Sequence, residues 1–174
     1  MRTAIIYVSQ TGFTKQYAEW IAEEVGGECI AFADAEKRDL SGYDAVVFGG
    51  WCMGGTITKL DWFKRKIALW TDKKKVVFAV GASPADSPLI QEAFRNNFTD
   101  AEREQVSTFY CQGGLRYEKM KLGSKIMMKL FAKMMAGKKD KTEEEKEMAE
   151  MIGKSYDISD RKYILPIVEW LKGE

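Results

Sequence analysis

Six consecutive residues near the start of the chain have the chemistry of a phosphate site: Ser9, Gln10, Thr11, Gly12, Phe13 and Thr14. This segment, the 9–14 loop, follows an apolar run and precedes a helical pattern, which predicts a turn between a strand and a helix. The N–H groups of a helix's first turn and the positive end of its dipole attract phosphate. Hydroxyl groups add donors, and Gly12 lets phosphate oxygens approach the backbone. Since the loop contains no Lys or Arg, the predicted site is an uncharged set of donors.

The spacing of the 9–14 loop separates it from two common phosphate-binding patterns. The Walker pattern ends in Gly-Lys-Ser/Thr and the dinucleotide pattern needs G-x-G-x-x-G, and neither spacing occurs in this loop. Its pattern S-x-T-G-x-T resembles the phosphate loop of the flavodoxins, and this resemblance implies FMN as the cofactor. The alternative from the residues alone is an ordinary turn capped by Ser and Thr hydroxyls.

Composition argues against several other kinds of chemistry. The chain has no histidine, and its three cysteines lie far apart, so we assign no catalytic residue and no metal ligand. A net charge of +1 predicts no nucleic-acid partner. The length of 174 residues predicts a single domain over residues 1–174. We find no secretory signal and no apolar stretch of about 20 residues, which predicts a cytoplasmic location.

Short apolar runs alternate with longer helical patterns along the chain, which is typical of a parallel sheet covered on both faces. We predict a flavodoxin-like, doubly wound α/β fold with five parallel strands in the order 2-1-3-4-5. The predicted strands cover about 2–8, 28–32, 45–48, 76–80 and 106–111, and the main helices about 13–25, 59–70, 88–97 and 159–172.

Doubly wound sheets bind ligands beyond the carboxyl ends of their strands, at the point where the strand order reverses. The 9–14 loop should therefore meet segments 49–56 and 81–87, with segment 112–117 as a fourth contributor. The resemblance to flavodoxins places the flavin ring against two of these segments. The expected contacts are Gly50, Trp51, Cys52, Met53 and Gly54 after strand three, and Gly81, Ala82 and Ser83 after strand four. For Cys52, a small buried thiol is an equally good explanation.

About 45 residues separate strand five from the last helix, far more than an ordinary connection, so we predict an insertion over about 113–158. Lysines recur every fourth residue in its first half, which predicts a basic amphipathic helix over 122–136: Lys121, Lys125, Lys129 and Lys133. Its Met-rich apolar side either packs on its own domain or contacts a membrane, a quinone or a partner protein through about 119–139. The membrane alternative would make the location peripheral.

A narrower resemblance rests on the chain length, the segment 113–117 and the basic, Met-rich helix. Together they resemble the flavodoxin-type, menaquinone-dependent protoporphyrinogen oxidases. Two functions therefore stand side by side. One is an FMN-binding electron carrier that serves a redox partner protein, which we favour, and the other is an oxidase that passes electrons to a membrane quinone. A partner-binding module that has lost its flavin is a third alternative.

Overall fold

The computed structural model describes residues 1–173, apart from the side chains of Glu144 and Glu147. The chain divides into two compact units. The first, here the core unit, combines Met1–Gly113 with the C-terminal residues from Ser159, and the second, the insertion unit, is Gly114–Ile158. The assignment of residues 1–174 to one domain stays a prediction.

Six strands belong to the described part of the core unit: β1 (Thr3–Val8), β2 (Glu28–Ala31), β3 (Ala45–Met53), β4 (Thr56–Ile57), β5 (Lys74–Gly81) and β6 (Ser107–Gln112). Five of them form a parallel sheet in the order β2-β1-β3-β5-β6. The short β4 pairs antiparallel with the end of β3. Since β5 and β6 are the fourth and fifth predicted strands, the predicted fold and strand order are confirmed.

The helices of the core unit are α1 (Phe13–Val25), α2 (Phe32–Ala35), α3 (Leu60–Ile67), α4 (Pro88–Asn97), α5 (Asp100–Arg103) and α8 (Leu165–Lys172). The insertion unit contains α6 (Leu122–Gly137), α7 (Glu143–Met151) and the antiparallel pair β7 (Gly114–Leu115) and β8 (Tyr156–Asp157). Two 3-10 turns complete the described elements, at Tyr117–Lys119 and Arg161–Ile164.

The sheet of the core unit is buried on both faces, because successive side chains of a strand point to opposite sides. On one face, Ile6 and Phe48 pack in a cluster with residues of α2, α3 and α4. On the other, Ile5 and Phe78 pack with residues of α1 and α8. The continuous apolar runs of the sequence are therefore explained by helices on both faces of the sheet.

The last helix starts later than the sequence predicts. Its α-helical part begins at Leu165, after the 3-10 turn Arg161–Ile164, and Pro166 lies in its first turn. A proline is tolerated there because the first N–H groups of a helix have no intrahelical acceptor. The predicted start at about residue 159 is therefore wrong, and Pro166 marks the beginning of the helix instead of a bend within it.

The insertion unit contains the predicted helix over 122–136, which is found as α6. α6 contacts α7, and α7 begins with a capping box formed by Thr142 and Glu145. An ion pair between Arg116 and Asp157, at 2.6 Å, joins the segments that flank the helices. Among the described residues, no helix combines the length and the apolar character needed to cross a bilayer.

Candidate cofactor site

The carboxyl ends of β1, β3 and β5 lie side by side, at the position where we predicted the site. Val8 at the end of β1 is paired in register with Gly50 of β3, and Trp51 is paired with Val80 of β5. Neighbouring strands are about 4.8 Å apart, so the segments that leave these strands start close together. The strand order also reverses between β1 and β3, which makes this edge the switch point of the sheet.

The 9–14 loop connects β1 directly to α1 in the predicted way. Gly12 is the N-cap residue of α1 and has a φ of 99°, a left-handed conformation that glycine adopts without strain. Its N–H donates to Ser9 Oγ at 3.1 Å. Phe13 and Thr14 are buried, so these two side chains anchor the loop while their backbone lies at the helix N-terminus.

The N-terminus of α1 fits a phosphate group. The backbone N–H groups of Thr14 and Lys15, in its first turn, have no carbonyl of a preceding helical turn to donate to. Gly12, as the N-cap residue, has no side chain with which to cap them. The only charged residue adjoining the loop, Lys15, is engaged with Glu19 at 3.5 Å. No charged residue belongs to the 9–14 loop itself, so its donor set is uncharged.

The Gly-rich segment after strand three is a β-hairpin and not an irregular loop. β3 continues to Met53, and Cys52 and Met53 pair with Ile57 and Thr56 of β4. The Thr58 N–H also donates to the Trp51 carbonyl at 3.0 Å. The hairpin therefore fixes the backbone of the segment that we expect to contact the flavin ring.

The glycines of this segment have two different structural roles. Gly54 and Gly55 form the hairpin turn with φ values of 58° and 78°, as a two-residue turn of type I′ requires. A Cβ on Gly49 would lie 2.1 Å from Phe78 Cζ, and one on Gly50 would lie 2.7 Å from Ile57 Cγ2. Contacts within the protein therefore require glycine at positions 49 and 50.

Trp51 and Cys52 are half-buried at the start of the hairpin. Burial raises the pKa of the Cys52 thiol, partly offset by a hydrogen bond with the Gly55 backbone. A raised pKa keeps the thiol protonated near neutral pH, so Cys52 lacks the thiolate that nucleophilic chemistry needs. The structure thus gives no basis for a catalytic cysteine here.

The segment after β5 is held by a residue that we did not predict. The Tyr110 hydroxyl donates to the Ser83 carbonyl at 2.9 Å. A Cβ on Gly81 would lie 2.8 Å from the same hydroxyl oxygen. Tyr110, on β6, therefore positions Gly81, Ala82 and Ser83, all three of which are half-buried at the site edge.

The end of β6 contacts the segment after β5 and the 9–14 loop with its helix α1. The Gly113 N–H donates to the Gly81 carbonyl at 2.8 Å, and a Cβ on Gly113 would lie 3.3 Å from Phe13 Cγ. The Tyr17 hydroxyl of α1 donates to the Gln112 carbonyl at 2.5 Å. Gln112 and Gly113 thus connect the end of β6 by hydrogen bonds to the segment after β5 and to helix α1. Residues 114–117, the rest of the predicted fourth segment, belong to the insertion unit.

Among residues 1–173, leaving aside the two excepted side chains, no group of three or more Cys, Asp or Glu side chains is arranged to hold a metal ion. The candidate site lies at the carboxyl edge of the sheet. It combines backbone donors from the 9–14 loop with an indole and neutral loop backbone from β3 and β5.

Comparison with known proteins identifies the family. Residues 4–142 match the model of the flavodoxin domain, so the chain belongs to the flavodoxin domain family. No curated protein sequence matches the chain. The family match concerns the flavodoxin domain in general, and the narrower resemblance to the protoporphyrinogen oxidases stays a prediction.

Three solved structures illustrate the similarity. A WrbA-like flavodoxin protein from Agrobacterium tumefaciens is 19% identical, with a TM-score of 0.47, over 75% of this chain and 91% of that chain. Oxidised flavodoxin 1 from Bacillus cereus is 16% identical, with a TM-score of 0.44, over 73% of this chain and 90% of the other. A flavoprotein in complex with FMN from Lactobacillus acidophilus is 17% identical, with a TM-score of 0.46, over 64% and 91%.

Proposed function

We propose that the protein binds FMN at the carboxyl edge of its parallel sheet and serves as an electron-transfer flavoprotein. The observation that carries this proposal is the N-terminus of α1, which opens from the uncharged 9–14 loop at the switch point of the sheet. Membership of the flavodoxin domain family supports the same cofactor.

In this proposal the 9–14 loop holds the phosphate of FMN. The backbone N–H groups at the start of α1 and the side chains of Gln10 and Thr11 supply donors. Ser9 Oγ accepts from the Gly12 N–H, and a hydroxyl that accepts one hydrogen bond keeps its O–H for donation. Phe13 and Thr14 contribute through their backbone, because their side chains are buried.

The ring would lie between the β3–β4 hairpin and the segment after β5. Trp51 offers an apolar face, while Gly50, Cys52, Met53 and Gly54 form one wall. Gly81, Ala82 and Ser83, fixed by Tyr110, border the opposite edge. Bound FMN supplies transfer of one or two electrons, and the chain supplies binding, orientation and exclusion of water.

The first experiment is titration of the apoprotein with FMN and with riboflavin, followed by visible absorption. Charge-assisted hydrogen bonds contribute about 1.5–3 kcal/mol each, so FMN should bind at least about tenfold more tightly than riboflavin, which lacks the phosphate. Absence of FMN binding would refute the proposal, and equal affinities would refute the role of the 9–14 loop.

A matched pair of glycine variants sharpens this test. Gly12 and Gly26 cap opposite ends of α1, with φ values of 99° and 63°, about 20 Å apart for a helix of this length. Alanine at either position introduces about 1–2 kcal/mol of strain. We expect Gly12→Ala to weaken FMN about tenfold and to leave riboflavin unchanged, while Gly26→Ala lowers stability alone.

For the partner that exchanges electrons with the flavin, we propose either a redox partner protein or a quinone. The oxidase alternative has its own assay, which is anaerobic oxidation of protoporphyrinogen by the FMN-loaded protein with a menaquinone analogue as acceptor. Turnover of protoporphyrinogen in this assay would show that the protein is an oxidase and not a simple electron carrier. The proposed FMN site would stay the same.

A further inference from the structure

Helix α6 of the insertion unit exposes most of its apolar side chains. None of its residues is buried. The exposed fractions of its five most open apolar residues lie between 50% and 75%. We call these residues the apolar face: Leu122, Ile126, Met127, Leu130 and Met134. With Phe131, they are six of the eleven large apolar residues that the described structure exposes. Scattered single residues of this kind need no explanation, whereas a concentration on one helix indicates a binding surface.

The apolar face is separate from the side that packs within the insertion unit. Leu122, Ile126 and Leu130 follow one another at intervals of four and so lie on one side of the helix. With Met134 they cover thirteen residues, about 18 Å along the axis. The half-buried positions of α6 form another row, which includes Met128 and Ala132. Packing within the insertion unit therefore does not use the apolar face.

The segment around α6 is strongly basic. Residues 119–141 contain eight lysines and one acidic residue, a net charge of +7. The other 151 residues contain 19 basic and 25 acidic residues, a net charge of −6. The near-neutral total thus conceals two opposite parts. Any partner of this segment should carry negative charge.

Three lysines border the apolar face directly. Lys125, Lys129 and Lys133 each follow an apolar-face residue by three positions, which makes them its neighbours on the helix surface. Lys129 and Lys133 are exposed, whereas Lys125 is half-buried. Lysine stems cover apolar surface while the ammonium group stays in a polar layer. Apolar residues beside a row of lysines match the boundary between acyl chains and anionic headgroups.

We propose that α6 lies on an anionic lipid bilayer, with the apolar face in the acyl boundary and the lysines among the headgroups. The inference goes beyond FMN binding and does not depend on it. An acidic protein partner fits less well because protein interfaces are depleted of lysine. A second copy fits less well because it would bring two segments of charge +7 together.

The test is co-sedimentation of the full-length, FMN-loaded protein with lipid vesicles. We expect binding to an equal mixture of phosphatidylglycerol and phosphatidylcholine, at least about tenfold stronger than binding to phosphatidylcholine alone, and weakened by salt. Equal binding to both vesicle types, or binding to neither, would overturn the proposal.

Charge variants test the lysine row. Two lysines near an anionic surface contribute about 1 kcal/mol each, so Lys129→Gln/Lys133→Gln should bind the mixed vesicles about 25-fold more weakly. The control Lys37→Gln/Lys172→Gln removes two exposed lysines of the core unit and should bind as the unchanged protein does. If the two double variants lose the same affinity, the effect is one of net charge and α6 is not the contact.

Apolar variants test insertion into the bilayer. Ile126→Gln/Leu130→Gln should lose at least about tenfold in vesicle affinity, because each residue buries apolar area there. The control Leu69→Gln/Leu89→Gln changes two exposed leucines of the core unit and should lose none. If Ile126→Gln/Leu130→Gln still binds the vesicles with full affinity, the apolar face does not insert into the bilayer. The contact would then be purely electrostatic, as expected for an acidic protein partner.

Two further measurements separate the remaining outcomes. The variant Leu130→Trp should show a blue-shifted difference spectrum on adding the mixed vesicles, and no shift would place the apolar face outside the bilayer. Sedimentation without lipid should show that Ile126→Gln/Leu130→Gln leaves the oligomeric state unchanged. Dissociation of a dimer by this variant would identify a second copy as the occupant. FMN affinity should stay constant throughout, whatever its value.

Discussion

The core unit and the insertion unit use the same kinds of apolar residue in opposite ways. In the core unit, Phe48 and Phe78 are fully buried between the sheet and its helices. In the insertion unit, Phe131 is 39% exposed and the five residues of the apolar face are more exposed still. The apolar residues of the core unit are buried by packing within the unit, whereas those of α6 stay exposed to solvent. Hydrophobic pattern alone therefore does not tell a core helix from a binding helix.

The two units nevertheless share their local helix signals. α5 and α7 both begin with a complete capping box, formed by Thr99 with Glu102 and by Thr142 with Glu145. Each box satisfies backbone donors at the start of its helix. What distinguishes the units is thus tertiary burial, and variants made in matched pairs can test this difference directly.

The largest expected effect compares two phenylalanines. Phe48→Ala should lower the free energy of unfolding by about 3–5 kcal/mol, because it leaves a cavity among packed aromatic rings. Phe131→Ala should lower it by less than about 1 kcal/mol, because that ring is partly exposed. Urea unfolding followed by circular dichroism measures both. Similar losses would show that α6 is packed in solution and would remove the contrast between the units.

The sequence predicts the elements of the core unit well where local signals agree. α1 was expected over 13–25 and is found at Phe13–Val25, because helical periodicity ends at a glycine that adopts a left-handed φ. The carboxyl-edge position of the 9–14 loop followed from general rules for doubly wound sheets.

Long-range contacts explain most of what the sequence did not reveal. β3 was expected to end at Phe48, but pairing with β1 and β5 carries it to Trp51, and pairing with β4 extends it to Met53. Tyr110 was missed because it lies 27 residues from the carbonyl it holds. The β3–β4 hairpin, in contrast, had a usable signal, since Gly-Gly between two strands is typical of a two-residue turn. For α6, both packed and exposed alternatives fitted the pattern, and only the fold distinguishes them.

A second pair of variants compares a glycine with a positive φ with a glycine inside a regular helix. Gly55 in the core unit has a φ of 78°, so Gly55→Ala should destabilise the protein by about 1–2 kcal/mol. Gly123 of α6 has open space around its would-be Cβ and no positive φ, so Gly123→Ala should stabilise the helix by about 0.5 kcal/mol. Thermal unfolding and helical circular dichroism measure the two changes. Loss of stability in both variants would mean that position 123 is constrained by packing.

A third pair compares two tyrosine hydroxyls that donate to backbone carbonyls. Tyr110 donates to Ser83 at 2.9 Å in the core unit, and Tyr117 donates to Ile152 at 2.5 Å in the insertion unit. Each change to Phe should cost about 1 kcal/mol, the usual net contribution of such a bond. Only Tyr110→Phe should also weaken FMN, because Tyr110 positions the segment at the ring edge. An equal change in FMN affinity from Tyr117→Phe would show that the insertion unit contributes to the site.

The smallest expected effect concerns the pH dependence of the two capping boxes. Burial raises the pKa of Glu102, but hydrogen bonds from Thr99 and Lys64 outweigh it, so the pKa lies below its ordinary value of 4.5. A depressed pKa stabilises the fold above the ordinary value, and this stability is lost as the pH falls through the folded-state pKa. Glu102→Gln should therefore cost less than about 1 kcal/mol at neutral pH, after allowance for solvent screening, and nothing in acid.

The corresponding carboxylate of the insertion unit provides the comparison. Hydrogen bonds from Lys138 and from the Thr142 backbone lower the pKa of Glu145, so the sign of its pH dependence is the same. Because Glu145 is more open to solvent, we expect Glu145→Gln to reduce the helical circular dichroism of α7 at neutral pH and to leave the unfolding midpoint of the core unit unchanged. A shift of that midpoint would show that the two units unfold together. The difference in burial between them would then not correspond to a difference in stability.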